Sequence, residues 1–142
     1  MKLVKELEKV LSDTYALYLK TQNYHWNIEG KRFRELHAYF EDQYNDLFKA
    51  IDEVAELIRQ LGHKTIGTFD AFKRLTKIKD ARENISDEEM LKDLLADQGV
   101  IMSTLSEALK IAEEMNESVV ADFLCGRLAV HKKNAWMMKS SL

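Results

Sequence analysis

Five side chains in the first half of the chain are of types that bind metal ions: His25, His37, Glu41, Asp52 and Glu56. Four of them lie beside the apolar stripe of one predicted helix, which is formed by Phe40, Tyr44, Leu47, Ile51, Val54 and Ile58. At 100° per residue, His37, Glu41, Asp52 and Glu56 fall at about 60, 100, 120 and 160° from that stripe. Imidazole and carboxylate ligands suit Fe(II), and they also accept Zn(II), Mn(II) or Co(II). The residue types and their shared arc therefore predict a metal site.

One helix cannot bring all four donors to a single ion. Eleven residues separate Glu41 from Asp52, which is about 16 Å along a helix axis, whereas bonds from a metal to nitrogen or oxygen are about 2 Å long. A second copy of the helix, packed antiparallel about a two-fold axis near residues 46 and 47, would bring the two pairs together. We therefore expect a metal site that two subunits share.

A di-iron centre inside one chain is excluded by the ligands. Four-helix bundles of that kind supply Glu-x-x-His motifs from two helices. The chain has histidines at positions 25, 37, 63 and 131, and none of them has a glutamate three residues before it. This leaves either a shared site or no site.

The spacing of apolar residues predicts four long helices, at about residues 2–28, 32–61, 86–115 and 116–139. Gly30 and Gly62 end the first two helices, and Ser86 with Glu89 forms a capping box at the start of the third. The residues TFDAFKRL predict a short helix inside the long connection between helices 2 and 3. Two hairpins joined by a long crossover are typical of an all-α, ferritin-like four-helix bundle. We expect a single domain over residues 1–142.

The predicted first hairpin also positions the remaining donor. His25 lies about six residues before the turn centre near Gly30 and Lys31, and His37 lies about six residues after it. In two antiparallel helices joined by a turn, residues that lie equally many positions from the turn face each other. We therefore expect the two histidines to meet.

Composition narrows the function classes. The chain has 142 residues, of which 46% are hydrophobic and 32% charged, with a net charge of −3 and no basic block. No apolar run is long enough to cross a membrane, and the first residues do not form a signal peptide, so we expect a cytoplasmic protein without a membrane partner. Cys125 lies among apolar residues and is expected to be a buried, inert thiol. Asp42, Asp46 and Glu53 fall on the side of the second helix where solvated charges are expected.

Three segments resemble the Dps family, the mini-ferritins also called DNA-binding proteins from starved cells: NYHWNIEGKRF at 23–33, LHAYFEDQYNDLFKAIDEVAELIRQLG at 36–62, and HKKNAWMMKSSL at 131–142. The resemblance covers essentially the whole chain. It implies a hollow homo-dodecamer with ferroxidase sites at its two-fold interfaces. His25, His37 and Glu41 would come from one subunit, and Asp52 and Glu56 from its neighbour. Glu41 stands where many members have aspartate.

The resemblance also implies an activity. Family members oxidise Fe(II), typically with hydrogen peroxide in preference to dioxygen, store Fe(III) in the cavity and so limit oxidative damage. Glu117 and Asp122 match acidic residues that line an iron pore at the three-fold axes, although an acid in the first turn of a helix is favourable without any pore. Trp26 either packs over the iron site or is a core aromatic.

Two other functions remain open at this point. The first is a nucleoid-associated, DNA-binding protein with secondary iron chemistry. In the family DNA binding often depends on a lysine-rich terminal extension, and because none is seen we expect weak DNA binding at physiological salt. The second is a helical bundle that serves only protein interaction, against which the metal-binding residue types argue.

Overall fold

The computed structural model describes all 142 residues and contains five α-helices and no strands. Their bounds are α1 Lys2–Asn27, α2 Phe33–Gln60, α3 Phe69–Leu75, α4 Asp87–Glu114 and α5 Ser118–Ser140. Helices α1 and α2 form one hairpin and α4 and α5 form the other, with α1 also packed on α4. The crossover between them carries α3. The ferritin-like bundle and its short crossover helix are thus confirmed, and every predicted end of a long helix lies within about two residues of the observed one.

The helix ends follow local chemistry. Ser86 Oγ accepts a hydrogen bond from the Glu89 amide at 3.1 Å, and the Glu89 carboxylate accepts one from the Ser86 amide at 2.9 Å. This is the predicted capping box. Between α1 and α2, Gly30 has a φ of 126°. A residue with a Cβ adopts this backbone conformation only at a cost. The tight turn that results brings the end of α1 against the start of α2.

Apolar side chains of all four long helices form one core cluster. Helix α2 contributes Phe40, Leu47, Val54 and Ile58 from its predicted stripe, and all four are buried. Tyr44 lies on the same stripe but is half-buried. Because burial of this stripe fixes the rotation of α2 about its axis, the predicted metal ligands beside it have fixed directions.

A buried carboxylate holds the crossover against the bundle. Asp13 on α1 accepts hydrogen bonds from Thr76 Oγ1 at 2.7 Å, the Lys77 amide at 2.8 Å and Thr104 Oγ1 at 2.7 Å. Its side chain is 1% exposed, so each bond forms away from competing water. Asp13 thereby joins α1, the segment after α3, and α4.

A second buried polar group joins α2, α4 and α5. His131 Nδ1 donates a hydrogen bond to Gln98 Oε1 at 2.8 Å, and His131 Nε2 accepts one from Arg127 at 3.3 Å. Arg127 also donates two hydrogen bonds to the carboxylate of Asp46, at 2.8 and 3.1 Å. Because a guanidinium can only donate, this chain of bonds fixes His131 as a neutral ring protonated on Nδ1.

Two expectations from the sequence are wrong. Asp46 is not a freely solvated charge, because the bidentate pair with Arg127 holds it against α5. Cys125 is exposed and not buried, because it lies on the outward face of α5 beside the buried Leu124.

None of the five helices combines the length and the apolar character that a membrane-spanning helix needs.

The buried His131 predicts a loss of stability in acid. Burial, and next the charge of Arg127, lower the pKa of His131 from 6.5 to about 3, against an opposing effect of Asp46. The unfolded chain binds a proton below pH 6.5 that the folded chain does not bind until about pH 3. Between these values His131 should reduce the free energy of unfolding by about 1.4 kcal/mol per pH unit as the pH falls.

Urea unfolding at a series of pH values between 7 and 4 measures this slope. The variant His131→Gln keeps a polar side chain that does not titrate, so its slope should be smaller than that of the parent by about that amount. Equal slopes in the two proteins would show that His131 does not stay neutral in the folded state.

Candidate metal centre

His25 and His37 meet across the α1–α2 hairpin. His25 is in the last turn of α1 and His37 is near the start of α2. Their rings stack with centroids 3.8 Å apart and planes 13° from parallel. The predicted meeting of the two histidines is confirmed.

Each histidine hydrogen-bonds to the backbone of the other. His25 Nδ1 lies 2.6 Å from the carbonyl oxygen of His37, and His37 Nδ1 lies 2.7 Å from the carbonyl oxygen of His25. A carbonyl only accepts, so each Nδ1 carries a proton, and Nε2 is the ring nitrogen that is left to bind a metal. Metal-binding histidines typically have this arrangement, in which the second ring nitrogen fixes the tautomer and the direction of the ring.

Two aromatic rings enclose the pair. Phe33 stacks on His37 with centroids 4.8 Å apart, and Tyr44 meets His25 edge to face at 5.1 Å. His25 is 6% exposed, and His37 is half-buried. Tyr44 was predicted only as a residue of the apolar stripe, but its position seven residues after His37, two turns along the same face, is a signal that could have indicated this contact.

Glu41 stands one turn after His37 and is exposed. Its carboxylate lies close to the Tyr44 hydroxyl. Desolvation raises the pKa of Tyr44, and the charge of Glu41 and a hydrogen bond to its carboxylate raise it further. Glu41 is therefore on the side of α2 that carries Tyr44, where it can add an oxygen ligand to the two free imidazole nitrogens.

Asp52 and Glu56 form a second group further along α2. Both are exposed. Asp52 and Glu56 are one helical turn apart and share one face of α2, and a hydrogen bond with Asp52, and next the charge of Asp52, raise the pKa of the Glu56 carboxyl. A cation between them would relieve this repulsion.

The chain thus contains two partial donor sets instead of one complete site. No three His, Cys, Asp or Glu side chains come together as a metal site within one subunit. The structure brings His25 to His37 and Asp52 to Glu56, but the turns of α2 between Glu41 and Asp52 keep the sets about 16 Å apart along the axis. Imidazole nitrogens with carboxylate oxygens fit iron chemically.

Three further residues that the sequence singled out, Trp26, Glu117 and Asp122, lie outside the two donor sets. Trp26 is 60% exposed, so the alternative of a core aromatic is wrong, and its ring forms no aromatic pair with His25. Glu117 is the residue before the first turn of α5 and makes no capping hydrogen bond through its side chain. Asp122 is exposed and lies beyond that first turn. Asp122 therefore lies outside the turn on which the helix dipole acts, whereas Glu117, at the N-cap position of α5, can still favour the helix start through its charge.

The chain is similar to known proteins both in sequence and in structure. The family model described as ferritin-like domain matches residues 4–142. The DNA protection during starvation protein of Porphyromonas gingivalis is 33% identical, over 96% of this chain and 86% of that protein. The crystal structure of Dps from Staphylococcus aureus has a TM-score of 0.96 and 33% identity, over 99% of this chain and 94% of that one. A Dps protein from Vibrio cholerae O1, described as one of the ferritin-like diiron-carboxylate proteins, has a TM-score of 0.94 and 29% identity, over 98% and 87%.

The reciprocal hydrogen bonds predict an unusual order of stability. In His37→Asn the amide N–H can replace Nδ1–H and still bond to the His25 carbonyl, which lies in the last turn of α1 and accepts no backbone hydrogen bond, whereas in His37→Leu that carbonyl stays unpaired. Because an unpaired buried carbonyl is costly, the Asn variant should be more stable than the Leu variant by about 1–2 kcal/mol. Burial of an apolar side chain alone would favour Leu.

Denaturant unfolding of both variants gives the comparison. The same two substitutions at His63, whose ring makes no side-chain hydrogen bond, serve as the control and should not favour Asn. A Leu variant at position 37 that equals or exceeds the Asn variant in stability would contradict the assigned hydrogen bonds.

Proposed function

Because this chain belongs to the Dps family of ferritin-like proteins, we propose that it oxidises Fe(II) at sites shared between two subunits and stores the Fe(III) product in a hollow homo-dodecamer. Hydrogen peroxide is the proposed main oxidant, with dioxygen as the alternative. Removal of both Fe(II) and peroxide would protect the cell from oxidative damage.

The observation that carries this proposal is the geometry of the histidine pair. Both Nδ1 atoms are engaged with carbonyls at 2.6 and 2.7 Å, so Nε2 is the nitrogen of each ring that can bind a metal. A pair of imidazoles whose directions are already fixed needs little reorganisation to bind Fe(II). Glu41, one turn after His37, adds a carboxylate from the same subunit.

Asp52 and Glu56 of a second subunit would complete each site. Antiparallel packing of two α2 helices about a two-fold axis brings the histidine set of one chain beside the carboxylates of the other, and generates two equivalent sites per interface. Carboxylates are hard, anionic ligands, so they favour the Fe(III) product over the Fe(II) substrate. The assembled donor set therefore favours oxidation.

A site that holds two Fe(II) ions would also allow hydrogen peroxide to be reduced without release of a hydroxyl radical. Reduction of one peroxide to two water molecules takes two electrons and two protons. Two Fe(II) ions supply both electrons together, whereas a single Fe(II) supplies one and releases hydroxide and a hydroxyl radical. Shared carboxylates that hold two ions near one peroxide thus limit radical release.

Direct DNA coating is the weaker alternative. Non-specific DNA binding depends on cationic groups that replace counterions on phosphates, and this chain carries a net charge of −3. Twelve such subunits would present an acidic shell. We therefore assign protection to the iron chemistry.

A mixing experiment tests the shared site. His37→Ala destroys the histidine set and Asp52→Ala destroys the carboxylate set, so each variant alone should lose most rapid Fe(II) oxidation. In a dimer that contains one chain of each kind, one of the two sites receives both intact sets. Random co-refolding of equal amounts should therefore restore about a quarter of the parental sites, measured as the initial rate of Fe(III) absorbance.

The control is co-refolding of His37→Ala with the double variant His37→Ala, Asp52→Ala, which contains no intact histidine set and should stay inactive. Full activity in either single variant would rule out these ligands. No recovery in the mixture, with dimers shown to exchange, would rule out the sharing between subunits.

Iron entry gives a separate prediction. Three symmetry-related copies of Glu117 and Asp122 would concentrate Fe(II) at a pore through the shell. Glu117→Gln with Asp122→Asn should slow iron uptake at low ionic strength by several-fold, and the difference should shrink as salt rises because exposed charges are screened. Stopped-flow oxidation at two ionic strengths measures both effects.

The matched control is Asp70→Asn with Glu88→Gln, which removes the same charge from two other exposed acids. If the control slows uptake as much as the pore variant, the effect comes from the net charge of the shell. If neither variant slows uptake at low salt, iron enters elsewhere.

A further inference from the structure

Three tyrosines form a continuous series of ring contacts that starts at the histidine pair. His25 meets Tyr44 at 5.1 Å, Tyr44 meets Tyr18 at 6.1 Å, and Tyr18 meets Tyr15 at 5.8 Å between ring centroids. All three contacts are close to perpendicular, between 67 and 75°. At these distances the edge of one ring lies against the face of the next.

The series ends at open cavities between α1 and the crossover. Tyr15 stacks on Phe72 of α3 with centroids 4.8 Å apart. Tyr15 lines a cavity of about 700 Å³ and also a neighbouring cavity of about 490 Å³. The contacts therefore run from the buried ring of His25 to a place where small molecules can reach a tyrosine.

We propose that Tyr44, Tyr18 and Tyr15 form a relay that carries a one-electron oxidising equivalent away from the histidine pair to the crossover cavity. The proposal rests on the proposed function, because it takes its oxidant from Fe(II) and hydrogen peroxide. It adds a second activity, disposal of the radical that arises when only one Fe(II) occupies the site.

Each step of the relay balances. A lone Fe(II) gives one electron to hydrogen peroxide, which yields Fe(III), hydroxide and a hydroxyl radical. The radical takes the hydroxyl hydrogen of Tyr44, so that water and a tyrosyl radical form. Tyr44 then regains a hydrogen atom from Tyr18, and Tyr18 regains one from Tyr15. At the cavity a phenol or other small hydrogen-atom donor restores Tyr15 and becomes the radical.

Only tyrosines can serve in this series. Phe48 also meets Tyr18, at 5.8 Å, but a phenylalanine ring has no hydroxyl hydrogen to give and is much harder to oxidise. Tyr39 has a hydroxyl but is outside the series, because its ring pairs only with Phe40 and its hydroxyl is buried without a hydrogen-bond partner. Tyr39 is therefore a matched control close to His37 in the sequence.

Freeze-quench electron paramagnetic resonance of the assembled protein tests the relay. The protein is loaded with less than one Fe(II) per site and mixed with hydrogen peroxide, and ferric absorbance is recorded on the same sample. The parent should give a tyrosyl signal. Tyr44→Phe should reduce that signal at least several-fold per Fe(III) formed, whereas Tyr39→Phe should leave it unchanged.

Peptide mass spectrometry after the reaction gives a readout that packing alone would not change. Loss of the relay should leave the oxidant at the iron ligands, so addition of an oxygen atom to His25 and His37 should increase in Tyr44→Phe and in Tyr18→Phe. Addition of 4-hydroxybenzoate should shorten the life of the signal in the parent but have a smaller effect in Tyr18→Phe, where the radical cannot reach Tyr15.

The outcomes separate the two proposals. Normal ferric absorbance with no tyrosyl signal, with an equal signal in Tyr44→Phe, or with a tryptophanyl signal that Trp26→Phe removes, overturns the relay and leaves the iron chemistry intact. Absence of ferric absorbance in the parent overturns the proposed function, and the relay fails with it because it has no oxidant.

Discussion

The stiffness of one uninterrupted helix governs the site chemistry of this protein. Helix α2 runs without a break from Phe33 to Gln60, and a helix rises about 1.5 Å per residue. Two donor sets on one face of such a rod can never close on one ion. The same rigidity holds each set in a fixed direction, since the buried stripe of α2 locks its rotation. In the proposed shared site, each chain supplies half of a metal site at each of two places. A second chain, related by a two-fold axis, supplies the other half of each site.

Buried polar bonds, more than apolar contacts, decide which parts of the chain are neighbours. Apolar burial is non-directional, so many arrangements of four amphipathic helices would satisfy it. Asp13 accepts three hydrogen bonds from the crossover and α4. His131 on α5 donates a hydrogen bond to Gln98 on α4 and accepts one from Arg127. Tyr24 adds a third connection, since its hydroxyl donates to Asp93 and accepts from the Arg82 amide. A different arrangement would leave these groups unpaired at considerable cost.

The sequence allowed the helices, the crossover and the meeting of His25 with His37 to be predicted, because these follow from periodicity and from equal distances to a turn. It did not reveal the two reciprocal bonds to backbone carbonyls, which depend on how closely Gly30 lets the two helices approach. It also misplaced Cys125 and Asp46, and it left two alternatives open for Trp26. Residue type suggests burial or solvation only on average, whereas the outcome at each position depends on which neighbouring helix happens to cover it. The contact of Tyr44 with His25 was missed for the same reason, since a half-buried residue of the stripe can contact a polar group as well as the core.

The bonds around His131 have a consequence for where iron can go. In this bundle the space between α2, α4 and α5 contains the guanidinium of Arg127, which is 8% exposed and bonded to both Asp46 and His131. The guanidinium of Arg127 is a cation fixed to the chain there, and it already occupies the lone pair of His131 Nε2 and both carboxylate oxygens of Asp46. An ion that entered this place would meet a positive charge that cannot leave by deprotonation. Among the imidazole and carboxylate groups of the bundle, His131 and Asp46 are therefore kept from metals by a cation of the chain itself.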